Sequence, residues 1–211
     1  IKGTNALKYI ESGESYEKYI KQGKDKGKKI KGLQNVSTIK GRKLWWALNQ
    51  DLKSNLFIQM LFNDTFKILY SDEKIYGDEC LYCIKSNYSY LHYILNSSLI
   101  FMFIELNGRA NYGEGVLGLM VYEAKNLLIP NPDLFTINDF IGFEEFLKTP
   151  ILPISRELPL NCNRNNLRYQ LDCLIFSRIG LDTNLIEPYY RELINLVSSR
   201  INKASSFKQK G

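Results

Sequence analysis

Three short groups of residues have the types and spacing that could support chemistry. The first is Cys80 and Cys83, a C-x2-C pair that would supply half of a tetrahedral zinc site. Zinc would need a second pair, and Cys162 and Cys173 are too far apart in the chain to form one. We therefore interpret these cysteines as buried structural thiols and predict no metal ligands.

The second group is Glu123 and Lys125, an E-x-K pattern found on strands of metal-dependent nucleases. Such a site also needs an aspartate on a neighbouring strand. The nearest preceding acid is Glu114, in a glycine-rich loop. Structural roles are the favoured interpretation of the pair, and a free-standing Mg²⁺-dependent nuclease is kept as a minor alternative.

The third group is a glycine-rich loop over residues 107–115. Its Gly113-Glu114-Gly115 lacks the G-K-[ST] ending of a nucleotide-binding loop. The loop does offer amide, guanidinium and aromatic groups that suit contacts to bases or phosphates. An ordinary helix end and turn is the alternative. The candidate base-reading residues are Asn107, Arg109, Asn111 and Tyr112.

His92 is the sole histidine, so any Ser-His-Asp triad, Cys-His dyad or multi-histidine metal site would have to use it. Its apolar surroundings favour a partly buried helix histidine, and we predict no catalytic residue. Four cysteines are too few for a disulfide scaffold, which indicates a reducing compartment. No signal peptide or run long enough to span a bilayer is evident, so we expect a cytoplasmic protein that does not contact membranes.

The positive charge is concentrated at the start of the chain. The net charge is +6, from 28 Lys plus Arg and 22 Asp plus Glu. Residues 1–43 hold 12 of the basic and four of the acidic residues, so this segment carries +8 and the remainder −2. Such a block suggests a polyanionic partner, although a solvated basic loop is the plainer alternative.

Within this basic segment, the candidates for phosphate contacts are lysines and an arginine that lie near glycines and aromatic residues in the sequence. They are Lys24, Lys26, Lys28, Lys29, Lys31, Lys40, Arg42 and Lys43. Trp45 and Trp46 follow directly and could pack on sugars or bases. We favour the alternative that they anchor the sheet.

The elements that must position these groups follow from hydrophobic periodicity. Glycines over residues 11–32 predict a loosely held segment without a helix. Runs 56–62, 66–70 and 79–85 predict antiparallel strands, with turns at 63–64 and 71–73. A helix is expected over 89–106, short strands or turns over 116–122, and two final helices over 167–179 and 186–204. The predicted fold is α+β: a small, mainly antiparallel sheet packed by a long helix, then a C-terminal helical segment.

The central sequence resembles a known family. Three of its segments resemble the pattern "LNS-x-L … GR … VYE-x-KNL-x-IP" in order. They are Leu95-Asn96-Ser97-Ser98-Leu99, the Gly108-Arg109 loop and Val121-Tyr-Glu-Ala-Lys-Asn-Leu-Leu-Ile-Pro130. That pattern belongs to the C-terminal target recognition region of bacterial adenine-specific (N6) DNA methyltransferases, including fused type II restriction–modification enzymes. Weaker similarities flank it, at 9–14 and 41–46 on one side and at 168–172, 180–181 and 196–204 on the other.

The resemblance implies a target recognition domain over 1–155, with 1–43 as its basic N-terminal segment, followed by a helical segment over 156–211. It implies sequence-specific binding of double-stranded DNA for a methyltransferase catalytic domain of the same parent chain. The family's Asn-Pro-Pro-Tyr or Asp-Pro-Pro-Tyr tetrapeptide is absent, as is a glycine-rich cofactor strand. S-adenosylmethionine is therefore expected in the parent's catalytic domain and not in this chain. The start at Ile1 also suggests an excised domain. A protein–protein docking module, like a specificity subunit, is the main alternative function.

Overall fold

The computed structural model describes residues 2–47, 52–161 and 163–208. The chain forms two compact units, Ile1–Asp51 and Leu52–Gly211. Cys162 lies outside the described residues.

The first unit contains a helix and a small hairpin. Helix α1 (Asn5–Ser15) begins at Thr4, whose hydroxyl accepts a hydrogen bond from the Leu7 amide. Strands β1 (Glu17–Tyr19) and β2 (Lys29–Lys31) pair antiparallel, with Tyr19 opposite Lys29. The prediction of a segment without a helix over 11–32 was therefore wrong for residues 11–15.

The reason for that error is a tertiary contact at Gly13. This residue is buried inside α1, and a Cβ added to it would lie 2.2 Å from Cη2 of Trp45. The absence of a side chain lets the indole ring lie directly on the helix, and this packing outweighs the poor helix propensity of glycine. Trp45 is thus buried against α1 within the first unit, where we had expected it to anchor the sheet.

The second unit is built around a three-stranded antiparallel sheet. Strand β3 (Lys53–Gln59) lies between β5 (Leu69–Tyr76) and β6 (Leu81–Ile84). Two short strands, β4 (Leu61–Phe62) and β7 (Leu117–Gly118), form a separate antiparallel pair. The turn expected at 71–73 was wrong, because those polar residues belong to β5, an edge strand with mostly exposed side chains.

The helix expected over 89–106 is interrupted. It is divided into α2 (Leu91–Leu95) and α3 (Ser98–Asn107). Asn96 ends α2, because its buried side chain accepts a hydrogen bond from the Ile68 amide at 3.0 Å and donates to the Ile68 carbonyl at 2.9 Å. The break thus ties the helices to the chain segment that leads into β5.

The remaining helices are α4 (Val121–Lys125), α5 (Ile154–Glu157), α6 (Leu167–Arg178) and α7 (Ile186–Lys208). Short 3-10 turns lie between α4 and α5. The two C-terminal helices confirm the predicted ones, with Pro188 in the first turn of α7. The prediction of short strands or turns over 116–122 was partly wrong, because Leu117–Gly118 is a short strand but helix α4 begins at Val121.

One hydrophobic core joins the sheet, α3 and the C-terminal helices. At its centre Asp172 of α6 is fully buried and accepts hydrogen bonds from the Ser98 amide at 2.8 Å and the Tyr190 hydroxyl at 2.6 Å. Its burial raises the pKa of the Asp172 carboxyl. The α+β prediction is confirmed, including the small antiparallel sheet and the C-terminal helical segment. The boundary placed at 155/156 stays a prediction.

Candidate nucleic-acid interface

The glycine-rich loop leaves α3 at Asn107 and returns to the core at β7. Its two ends are held side by side, because the Arg109 amide donates to the Gly118 carbonyl at 2.8 Å and the Gly118 amide donates back at 2.9 Å. Gly108 packs against Leu117 so closely that a Cβ would lie 2.5 Å from the leucine Cγ. The base of the loop is therefore held in place by the pairing of Arg109 with Gly118, and the loop residues between these two positions start and end at fixed points.

The side chain of Arg109 is held by Glu123 on α4. Both Nε, at 2.7 Å, and Nη2 donate to the same carboxylate oxygen, Oε1. The arginine side chain is 54% exposed and the glutamate side chain 10% exposed. Desolvation opposes ionisation of Glu123, but the hydrogen bond and positive charge of Arg109, together with backbone hydrogen bonds at Glu123 and Met120, outweigh it and lower the pKa of this carboxyl.

Tyr112 lies against Gly118, where a Cβ would come within 2.0 Å of the phenol ring. Its hydroxyl lies 3.2 Å from Sδ of Met120, and almost half of the residue is exposed. Asn107 and Asn111 are also exposed, and Asn107 donates to the Phe103 carbonyl at 2.8 Å. The structure thus presents all four base-reading candidates on one exposed loop, although Arg109 and Asn107 each bond to the protein as well.

The tip of the loop has a left-handed backbone. Gly113, Glu114 and Gly115 have φ of 78°, 49° and 73°. Glycine adopts such angles freely, whereas a residue with a Cβ is strained there. Gly115 is buried against α7, and its added Cβ would lie 2.9 Å from Cα of Ile201. This close approach explains why the loop needs a glycine at 115.

Arg200 of α7 holds the loop tip, and the sequence interpretation missed it. It pairs with both carboxylate oxygens of Glu105 on α3, at 2.8 Å and 3.0 Å, and its Nη1 donates to the Gly115 carbonyl. Both charged side chains are 6% exposed. A signal was present, because Arg200 interrupts the apolar stripe of α7 at a position where a cation must find a buried partner.

The candidate phosphate contacts lie on the first unit, where all eight side chains are exposed. Two of them are paired: Lys28 lies 2.6 Å from Asp25, and Lys29 lies 2.6 Å from Glu17 across the β1–β2 hairpin. The hydrogen bonds and charges of these lysines lower the pKa of both carboxyls. The other six have no ion-pair partner in the described part of the chain. They are Lys24, Lys26, Lys31, Lys40, Arg42 and Lys43.

The nuclease alternative does not fit the structure. Glu123 and Lys125 lie on helix α4, not on a strand, and the carboxylate of Glu123 is engaged by Arg109. Within residues 2–47, 52–161 and 163–208, no three His, Cys, Asp or Glu side chains are grouped to hold a metal ion. Cys80 is exposed, so its interpretation as a buried thiol was wrong, while Cys83 is half-buried.

His92 is buried in α2, as expected of a helix histidine. Its ring lies 4.0 Å from the ring of Tyr70 and 4.1 Å from that of Tyr93. Burial among these rings lowers the pKa of His92 from 6.5 to about 4, so the imidazole is neutral near pH 7. In the same described part of the chain, no helix combines the length and apolar character needed to cross a membrane.

Comparison with known proteins supplies one match. Residues 4–149, more than two thirds of the chain, match the family model described as "Type II methyltransferase M.Eco57I, C-terminal domain". No curated protein and no solved structure matched the chain. The matched residues include α1, the basic segment, the sheet, the glycine-rich loop and α4. The chain therefore belongs to the family of the C-terminal domain of type II methyltransferase M.Eco57I.

Proposed function

We propose that this chain recognises a specific sequence in double-stranded DNA on behalf of a methyltransferase. The observation that supports this most directly is the family match over a region that contains an exposed loop held at both its base and its tip. A polar loop on a rigid frame is the arrangement expected of a group that reads base edges, because binding then requires little ordering of the protein.

The basic segment would supply affinity without sequence preference. Cations that neutralise phosphates release counterions, so binding weakens as salt is added. The six cations that have no ion-pair partner in the described part of the chain determine the size of this salt dependence. If all six contact phosphates, the slope of log K against log salt concentration is about −5.

The test is binding of the 211-residue chain to labelled duplex DNA, measured by fluorescence anisotropy over a range of salt concentrations. Replacing Lys24 and Lys26 with glutamine should make the slope about two units shallower. Replacing Lys28 and Lys29 is the matched control. The effect should be smaller there, because Asp25 and Glu17 already compensate their charge. Affinity that does not fall with salt would contradict the proposal.

The finer parts of the proposal concern the parent protein. We propose that it transfers a methyl group from S-adenosylmethionine to N6 of adenine, and that its catalytic domain is the direct partner of this chain. The resemblance at 95–99, 108–109 and 121–130 supports both points. Nucleoside analysis of DNA from cells expressing the parent reading frame should reveal N6-methyladenine. Methylated cytosine alone would contradict the choice of base.

The docking alternative makes a different prediction for the same chain. A module that joins other subunits should form a discrete oligomer without DNA. Light scattering coupled to size-exclusion chromatography measures the mass directly. A monomer that binds DNA would favour recognition, whereas an oligomer that does not bind DNA would favour docking.

A further inference from the structure

We propose that Arg109 contacts a guanine in the major groove and that Glu123 is the positioning residue that orients its guanidinium. This inference rests on the proposed function, because it names the residue that reads a base within the loop already described. Neither residue's role follows from the charge pattern of the chain, since Arg109 lies far from the basic segment in sequence.

The geometry leaves part of the guanidinium available. The main chain of Arg109 is fixed by two hydrogen bonds to Gly118, and the side chain by Nε and Nη2 bonding to a single oxygen of Glu123. A guanidinium has five N–H donors in a planar fork. Both N–H groups of Nη1 and the second N–H of Nη2 have no partner among the described residues, and the side chain is 54% exposed. An arginine in this state can donate to O6 and N7 of guanine, the pair that arginine commonly contacts in the major groove.

The carboxylate of Glu123 makes one side-chain contact among the described residues, the contact to Arg109. Its second oxygen, Oε2, is buried and has no hydrogen-bond partner within the described residues. The Tyr82 hydroxyl is buried without a partner as well. Burial raises the pKa of Tyr82, and the neighbouring Tyr112 and Glu123 add to this effect. Unsatisfied buried oxygens disfavour the folded state. The two hydrogen bonds to Oε1 fix the plane of the Arg109 guanidinium, and this is the role that we assign to Glu123.

Another ion pair on the second unit provides the contrast. Arg178 is 47% exposed and pairs with Asp139, which is 10% exposed, much like Arg109 and Glu123. Asp139 differs because its Oδ2 also accepts hydrogen bonds from the amide and hydroxyl of Thr136, at 2.7 Å and 3.0 Å. It closes a capping box at a 3-10 turn and so has a structural task of its own. The carboxyl of Glu123 also has its pKa lowered by backbone hydrogen bonds at Met120 and at Glu123 itself, but among the described residues no side chain other than Arg109 bonds to it.

The experiment selects preferred sites from a random-sequence duplex library with the 211-residue chain. The wild type should enrich a sequence that contains a guanine at one defined position. Arg109→Ala should abolish preference at that position, about tenfold or more, and leave the other positions unchanged. Glu123→Gln keeps the shape of the side chain and removes its charge. It should weaken the same preference while binding to unrelated DNA stays unchanged.

Two further measurements separate base reading from a structural role. Replacing the selected guanine with 7-deazaguanine removes the N7 acceptor, so it should weaken wild-type binding and have no effect on Arg109→Ala. Arg178→Ala is the matched control, because it breaks an ion pair of similar exposure away from the loop. It should leave the selected sequence unchanged. Circular dichroism of each variant establishes that it is folded.

The remaining outcomes overturn either this inference or the proposed function. A uniform loss of affinity for all sequences in Arg109→Ala would assign this residue to a phosphate and overturn the inference. Binding without sequence preference in the wild type would also overturn it, while the phosphate role of the basic segment would survive. Absence of DNA binding at any salt concentration would refute the proposed function itself.

Discussion

Arg200 is predicted to be a sensitive position for the stability of the second unit. Arg200→Ala would leave the carboxylate of Glu105 buried without its cation and the carbonyl of Gly115 without its donor. It would leave the exposed Asn63 carbonyl free to bond to water, since Nη2 donates to that oxygen at 2.6 Å. The perturbation therefore acts through two buried groups.

The magnitude follows from the burial of the pair. Both side chains are 6% exposed, and removing one partner of a buried ion pair destabilises by about 3–5 kcal/mol. Replacing both residues, with Arg200→Met and Glu105→Leu, removes the stranded charge and keeps apolar volume in place. Only the Gly115 carbonyl then lacks a donor, so the double variant should lose about 1–3 kcal/mol. The double variant should thus be more stable than the single one.

Urea unfolding followed by circular dichroism at the helical band measures these differences, because helices α2 to α7 all lie in the second unit. The free energy of unfolding is compared among wild type, Arg200→Ala and the double variant. A loss below about 1 kcal/mol in Arg200→Ala would refute the reasoning. A double variant as unstable as the single one would also refute it, because the stranded carboxylate would then not be the main cost.

Three further predictions test the loop tip, the buried histidine and the first unit. In the same urea assay, Gly115→Ala should lower the free energy of unfolding by about 2–5 kcal/mol, because the alanine is strained at this φ and its Cβ clashes with Ile201. Gly113→Ala should lower it by about 1–2 kcal/mol from strain alone, because no described atom lies within 4 Å of an added Cβ. Equal losses in the two variants would contradict the packing of Gly115 against α7. The pKa of His92 is lowered from 6.5 to about 4 in the folded state, so between these pH values the unfolded state is protonated at His92 and the folded state is not. The free energy of unfolding therefore decreases as the pH falls from above 6.5 towards 4. Between about pH 7.5 and about pH 5 the wild type should lose about 2 kcal/mol more than His92→Phe, and parallel pH profiles would contradict this. Gly13→Ala should displace Trp45 and shift its fluorescence to longer wavelength in a Trp46→Phe background; unchanged emission would exclude the close contact.

Strands and helices were predictable where the hydrophobic pattern of neighbouring residues determines them. Apolar runs located the strands at 56–62 and 79–85, and periodicity with Pro188 located the final helices. Errors arose where a contact distant in sequence overrides the local signal. Gly13 remains helical because Trp45 covers it, and Asn96 divides the central helix because it bonds to Ile68. Neither partner can be identified from the neighbouring residues.

The candidate site was predictable to a lesser degree. The composition of the loop at 107–115 singled out Arg109 and Tyr112, but it could not show that Glu123 holds the guanidinium. The E-x-K spacing drew attention to Glu123 for a different reason, which depended on a strand that is in fact helix α4. Arg200 lies 85 residues from the Gly115 carbonyl that it holds, and only the fold brings these groups together.

The hydrogen bond from the Ser98 amide to Asp172 has a consequence for transferring this domain to another protein. The helix that leads into the loop begins at Ser98, yet its first amide is satisfied from α6, beyond the 4–149 match. Glu105 and Gly115 likewise depend on α7. A graft cut at the end of the matched region would separate the loop from all three supports. A chimeric protein that is to keep this loop in its observed conformation therefore has to include the chain through Arg200, and the useful junctions lie outside α6 and α7.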